Sequence, residues 1–119
     1  MPQTLQTGKK GEEEAVAFLR SKGYEILHIN WRHKKLEIDI IAKKDEFLTI
    51  IEVKTRKNAD FGAPEVFVTK SKQQKLIKAT HHFIIENKRQ EEARFDIVAI
   101  NNQTGQIEHI KSAFYPSLK

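Results

Sequence analysis

The segment Lys35–Arg56, KLEIDIIAKKDEFLTIIEVKTR, constrains the fold more than any other part of the chain. Two runs rich in Ile, Leu and Val flank the polar tetrapeptide Lys43–Glu46. This pattern predicts a β-hairpin with strands near residues 35–42 and 47–55. The runs are nearly continuous rather than alternating, as in strands packed on both faces. Yet Glu37, Asp39, Glu52 and Lys54 fall inside them, where a doubly covered strand has no ordinary place for charge.

A hairpin of this kind needs further layers, and the rest of the chain supplies them. GEEEAVAFLRSK, residues 11–22, reads as a helix with apolar side chains at Ala15, Val16, Phe18 and Leu19, acids in its first turn, and Gly23 as its stop. YEILHINWRH, residues 24–33, reads as a strand. Residues 57–66, with Gly62 and Pro64, read as a loop. A second helix is expected over about 70–88. Ser71 and Gln74 resemble a capping box, and Leu76, Ile77, Thr80, Phe83 and Ile84 form the apolar stripe. RFDIVAI (94–100) and QIEHIKSAF (106–114) are strands joined by the turn NNQTG, while residues 1–7 read as a loose tail. The expected fold is α/β, a mixed sheet flanked by two helices in the order α-β-β-β-α-β-β. With 119 residues and no linker or repeat, one domain is expected.

The buried charges carry the chemical argument. Residues two apart on a strand share a face, which groups Glu37 with Asp39 and Glu52 with Lys54. Asp39 and Glu52 meet if the hairpin register sets them opposite one another. Two carboxylates that close are costly unless one is protonated or a cation lies between them. Mg²⁺, or Mn²⁺ in its place, is suited to such a pair, with the main-chain carbonyl of Val53 as a further oxygen. Lys54 could then orient or help deprotonate a water, or steady charge on a phosphate. The competing reading is an exposed ion-pair ladder of Asp39 or Glu52 with Lys54. The chain has no cysteine, so a thiolate site is excluded and a hard, oxygen-preferring ion is favoured.

Each helix adds a polar residue to its apolar stripe. At roughly 100° per residue, Glu12 lies in the middle of the arc of Ala15, Val16, Phe18 and Leu19, and Gln73 heads the stripe of the second helix. Either an inward partner or a simple turn to solvent would account for each.

These residues together resemble a known pattern. EID, followed thirteen residues after its Asp by EVK, resembles the D…(D/E)-x-K signature of the restriction-endonuclease-like, or PD-(D/E)XK, nuclease superfamily. GKKGEEEAVAFL, GYEIL, NWR, EIDIIA, IIEVKTR, FGAPEV, VTKSKQQKL and RFDIVAI more closely resemble the YraN-like family. These are uncharacterised bacterial proteins similar to Holliday junction resolvases, and the likeness spans roughly residues 8–100. The resemblance implies a restriction-endonuclease-like fold and a Mg²⁺-dependent endonuclease acting on nucleic acid, DNA above all and branched DNA within that. It implies that Asp39 and Glu52 hold the metal, that Lys54 is the catalytic lysine, and that Glu12 and Gln73 complete the catalytic set. A homodimer is an expectation of the same resemblance. The residue before the superfamily's Asp is Ile38 here instead of Pro, and Leu36 stands where this family often has Gly.

The formal net charge of +5 agrees with a polyanionic partner. Arg32, Lys34, Lys35, Arg56 and Lys57 cluster at the strand ends, and Lys70, Lys72, Lys75 and Lys78 follow the second helix. Of these, Arg32, Lys35, Arg56, Lys57, Lys72 and Lys75 are the candidate phosphate contacts. Trp31 and Phe61 are candidates either for base stacking or for core. Asp96 is expected to pair with Arg94 or another base, and the five histidines show no zinc-protease spacing. No apolar run approaches the ~20 residues of a membrane span and no signal segment is evident, so a cytoplasmic protein without membrane contact is expected. Two further readings stay open: a non-catalytic nucleic-acid-binding module on the same fold, and a protein-interaction adaptor using the 57–66 loop.

Overall fold

The computed structural model describes residues 3–56 and 68–116, with side chains from Lys10 onward. The elements are α1 (Gln3–Ser21), β1 (Glu25–His33), β2 (Leu36–Lys44), β3 (Phe47–Arg56), α2 (Lys70–Asn87), β4 (Glu92–Asn101) and β5 (Ile107–Phe114). This is the α-β-β-β-α-β-β order that the sequence pattern predicts. The strands form one mixed sheet in the order β1-β2-β3-β4-β5, antiparallel throughout except for the parallel pair β3 and β4. Parallel neighbours need a crossover, and α2 provides it. The expected loop at 57–66, with Phe61 and Lys57, lies outside the described residues.

Each helix covers one face of the sheet. Ala15, Val16 and Leu19 of α1 pack with Ile40, Ala42, Ile51, Val98 and Ile100. Leu76, Ala79 and Phe83 of α2 pack on the other face with Ile38, Ile41, Leu48, Ile50 and Ile97. The double cover accounts for the near-continuous apolar runs of β2 and β3, since residues of both parities are buried. No helix among the described residues is long and apolar enough to cross a membrane.

Two helix starts differ from expectation. α1 begins at Gln3, ahead of the expected start at Gly11. Gly11, expected to open the helix, lies well inside it. A Cβ there would meet Cγ2 of Thr55 at 2.5 Å, so glycine is what lets α1 lie close on β3. That contact outweighs the roughly 1 kcal/mol that glycine costs in a helix interior. In α2 the cap is Thr69, not Ser71: Thr69 is extended and its hydroxyl accepts the Lys72 N–H at 3.2 Å, while Ser71 is already within the first turn. α1 ends as expected at Gly23, whose φ of +91° permits the Tyr24 N–H to reach the Leu19 carbonyl at 3.0 Å.

Asp96 has a defined structural role. It is fully buried, and its carboxylate accepts from Arg94 Nε (3.0 Å) and Nη2 (2.8 Å), lies 2.7 Å from His109 Nε2, and takes the backbone N–H of Ser112 at 3.0 Å. Ser112 has a φ of +51°, in the stretch where the β4–β5 register slips, so the carboxylate replaces a strand partner that the slip removes. Burial pushes the Asp96 carboxyl up, but the hydrogen bonds from His109 and Arg94 outweigh it and hold the group below the ordinary carboxylate value. Arg94 also donates to the Tyr24 hydroxyl at 2.6 Å, tying the network to the end of α1.

Candidate active site

The β2–β3 ladder runs from Lys44 opposite Phe47 to Ile40 opposite Ile51 and stops there, one step before Asp39 and Glu52. Beyond this point Oδ2 of Asp39 accepts the Val53 N–H at 2.9 Å, so a side chain takes the place of a strand carbonyl. The strands part because side-chain alternation slips at the same level. Ile38 packs on the α2 face, whereas Ile40 and Ala42, of the same parity, pack on the α1 face. β1 slips in step. Ile29 pairs with Ile40 and Trp31 with Ile38, and between them Asn30 adopts a left-handed φ of +55°. Asparagine tolerates that conformation better than most residues.

The slip also corrects one expectation. Glu37 and Asp39 share a face only on an unbroken strand; here Glu37 turns instead to Arg32, 3.1 Å away at the exposed hairpin end. The other three acids gather at the split. Glu52 is only 4% exposed, two residues from Lys54 on the α2 face of β3. Its Oε2 lies 3.4 Å from the Lys54 ammonium and 3.6 Å from that of Lys72, in the first turn of α2. These are charge contacts longer than a good hydrogen bond. Its Oε1 is buried with no hydrogen-bond partner among the described residues. The Glu52–Lys54 pair of the competing reading is present, but the carboxylate is inside the protein and not on an exposed ladder.

Asp39 responds to its surroundings. Burial first, then the Glu52 charge, push its carboxyl up to about 7; Glu12 adds to the rise, while the Val53 N–H and Lys72 oppose it. Glu12, half-buried on α1, is held by the Asn30 side-chain amide, which donates to its Oε1 at 2.9 Å. Asn30 is thus a site residue to which sequence reasoning gave no role. Its signal was a turn-preferring residue inside a strand, directly before Trp31.

The remaining candidates fall in different places. Gln73 directs its amide to the Val68 carbonyl at 3.0 Å, where it anchors the approach to α2. Lys72 belongs to the carboxylate cluster. Lys75 is exposed along α2, Lys35 is exposed in the β1–β2 turn, and Arg56 is half-buried, its carbonyl accepting the Asn102 N–H at 2.7 Å. Trp31 is half-buried with its ring edge-on to Phe83, which places part of it in the core.

Two carboxylates and the Val53 main chain form an oxygen donor set of the kind Mg²⁺ accepts when water and substrate complete its shell. The orphaned Glu52 oxygen and the raised Asp39 carboxyl fit a cation at this point. Among the described residues no group of three or more His, Asp or Glu side chains is placed to hold a metal ion.

Comparison with known proteins places the chain among relatives of similar length. The uncharacterised protein family UPF0102 matches residues 11–100. A UPF0102 protein of Flavobacterium psychrophilum is 49% identical over 91% of this chain and 92% of its own. One from Christiangramia forsetii is 49% identical over 97% and 98%, and one from Thermodesulfovibrio yellowstonii 47% identical over 93% and 97%. Their names give a family and no activity.

Proposed function

The chain belongs to the UPF0102, or YraN-like, family, and on that premise we propose that it is a divalent-metal-dependent nuclease hydrolysing phosphodiester bonds in nucleic acid. The observation that carries the reading is the buried Oε1 of Glu52, without a hydrogen-bond partner among the described residues, beside an Asp39 carboxyl pushed up to about 7. Two acids held this close are costly unless one is protonated or a cation lies between them, and a bound cation would relieve that cost. Asp39 and Glu52 would hold Mg²⁺ or Mn²⁺, with the Val53 carbonyl as a third protein oxygen. The bound ion supplies charge stabilisation at the scissile phosphate and a more acidic water.

The protein's own groups do the rest. The Val53 N–H fixes one Asp39 oxygen and so aims the other. Lys54 and Lys72 bring two ammonium groups to Glu52 and are placed to steady negative charge that grows on a phosphate. Glu12, held by Asn30, would orient a water or a second cation at the margin. Lys75, Lys35, Arg56 and Arg32 would follow the backbone to either side.

The test has two parts. Calorimetric titration of Mn²⁺ into wild type and Asp39→Asn should give saturable binding that the variant loses, if necessary with non-cleavable duplex present. Wild type with Mg²⁺ should cut labelled linear, flapped or four-way-junction DNA, and Lys54→Ala should not, while retaining its circular dichroism spectrum. Cleavage that survives in Lys54→Ala sinks the site assignment. Binding of nucleic acid with no cleavage under any metal would establish the binding-module reading in its place.

A further inference from the structure

Away from the carboxylates, three rings lie in near-parallel planes at the outer end of β1 and α2. Trp31 and His33 are 10° apart with centroids at 6.1 Å, and His33 and His82 are 18° apart at 4.2 Å. Trp31 makes a T-shaped contact with Phe83 and His82 one with His81. The ladder therefore has a buried foot and ends at His82. A metal site is a poor account of these histidines. Stacked rings present their faces to one another and not their nitrogens, and no three ligating side chains converge among the described residues. Loss of hydration, then His33, His81, Lys78 and Lys34, hold the His82 imidazole below its ordinary histidine value.

The place of the ladder ties it to the carboxylates. Trp31 pairs with Ile38, the residue next to Asp39. On α2, Lys72, Lys75, Lys78 and His82 occupy about one third of the helix circumference, at roughly 100° per residue, and span about 15 Å. A line of ammonium groups thus runs from Glu52 to the last ring, with Lys75 and Lys78 exposed. A cationic track ending in an aromatic face is the arrangement that grips a single strand, phosphates on the lysines and a base on the ring.

We infer that His82, capping the Trp31–His33 stack, is a stacking site for an unpaired nucleobase, and that the substrate carries a single-stranded segment beside the scissile bond. The substrate class rests on the nuclease reading; the binding site does not. The test is fluorescence anisotropy in EDTA, where no cleavage occurs, with a blunt DNA duplex and the same duplex bearing a short single-stranded flap. Wild type should prefer the flapped duplex. His82→Ala should lose roughly ten-fold in affinity for it, within the range of one base–aromatic stack, and little for the blunt duplex. His82→Phe should restore the preference and His82→Lys should not, with thermal melts confirming that each variant folds. Equal losses on both duplexes, restoration by Lys but not Phe, or no flap preference in wild type would overturn the inference. Flap preference without cleavage by wild type would refute the nuclease reading alone; cleavage without flap preference would refute only the stacking site.

Discussion

Asp39→Asn should make the metal-free protein more stable at alkaline pH, although it removes a residue assigned to the site. Burial and the Glu52 charge lift the Asp39 carboxyl from an ordinary 3.8 to about 7. Between those values the folded chain holds a proton that the unfolded chain has released. Stability therefore falls as pH rises through that window, and the full penalty is present by pH 8. At about 1.36 kcal/mol per pH unit the ceiling is roughly 4 kcal/mol. Asp39 keeps some contact with solvent, which relaxes part of that cost, so about 2–3 kcal/mol is expected. Asparagine cannot ionise, and its carbonyl oxygen can still accept the Val53 N–H. Urea unfolding in EDTA should thus show the variant ahead by about 2–3 kcal/mol at pH 8 and close to wild type near pH 4. Added Mg²⁺ should narrow the gap by stabilising wild type alone. A variant no more stable than wild type at pH 8, or a difference that does not change with pH, would refute the account of Asp39 as a buried acid held against its neighbour.

Other perturbations test other parts of the structure. Asp96→Ala leaves Arg94 and His109 without their buried acceptor and should cost about 3–5 kcal/mol in urea unfolding, as breaking one side of a buried pair does. Gly11→Ala should cost about 1–3 kcal/mol by overpacking against Thr55 Cγ2. Thr55→Ser, which deletes that methyl, should recover most of the loss in the double variant. Lys72→Ala should weaken cleavage less than Lys54→Ala and leave Mn²⁺ affinity within a few-fold, as calorimetry and single-turnover cleavage would show; abolished metal binding would contradict its placement as a charge partner of Glu52.

The order of elements was legible because long apolar runs, Gly23 and the α2 stripe each encode local structure directly. Asp39 and Glu52 were legible as charges where strands should have none, and Glu12 as an acid on an apolar arc. The slip at Asn30 and Asp39 was not, since alternation arguments assume an unbroken pleat; Glu37 was grouped with Asp39 for that reason. Gln73 shows the converse limit: helical spacing gives the side of the helix, but not whether an amide meets a carboxylate or the Val68 carbonyl. Ser71 and Thr69 are both competent caps for α2, and only the backbone geometry chooses Thr69. Asp96 was expected to pair with Arg94, which it does, but His109 and the Ser112 N–H belong to a register slip in a strand that alternation presents as regular.

Strand order also gives the split between β2 and β3 a place in time. β1, β2 and β3 follow one another with only the turns Lys34–Lys35 and Asp45–Glu46 between them, so their pairings close short loops, on the order of microseconds for a hairpin. The parallel β3–β4 pairing must wait until the chain from residue 57 to 91 has been folded back, which is the slow and entropically costly kind of contact. Asn30, Asp39 and Glu52 therefore belong to the early meander, while the Lys72 ammonium and the cover over Glu52 arrive with α2 and β4. Asp39, Glu52 and Lys54 thus come from the local meander, and of the two ammonium groups at Glu52 only that of Lys72 waits for the long-range crossover.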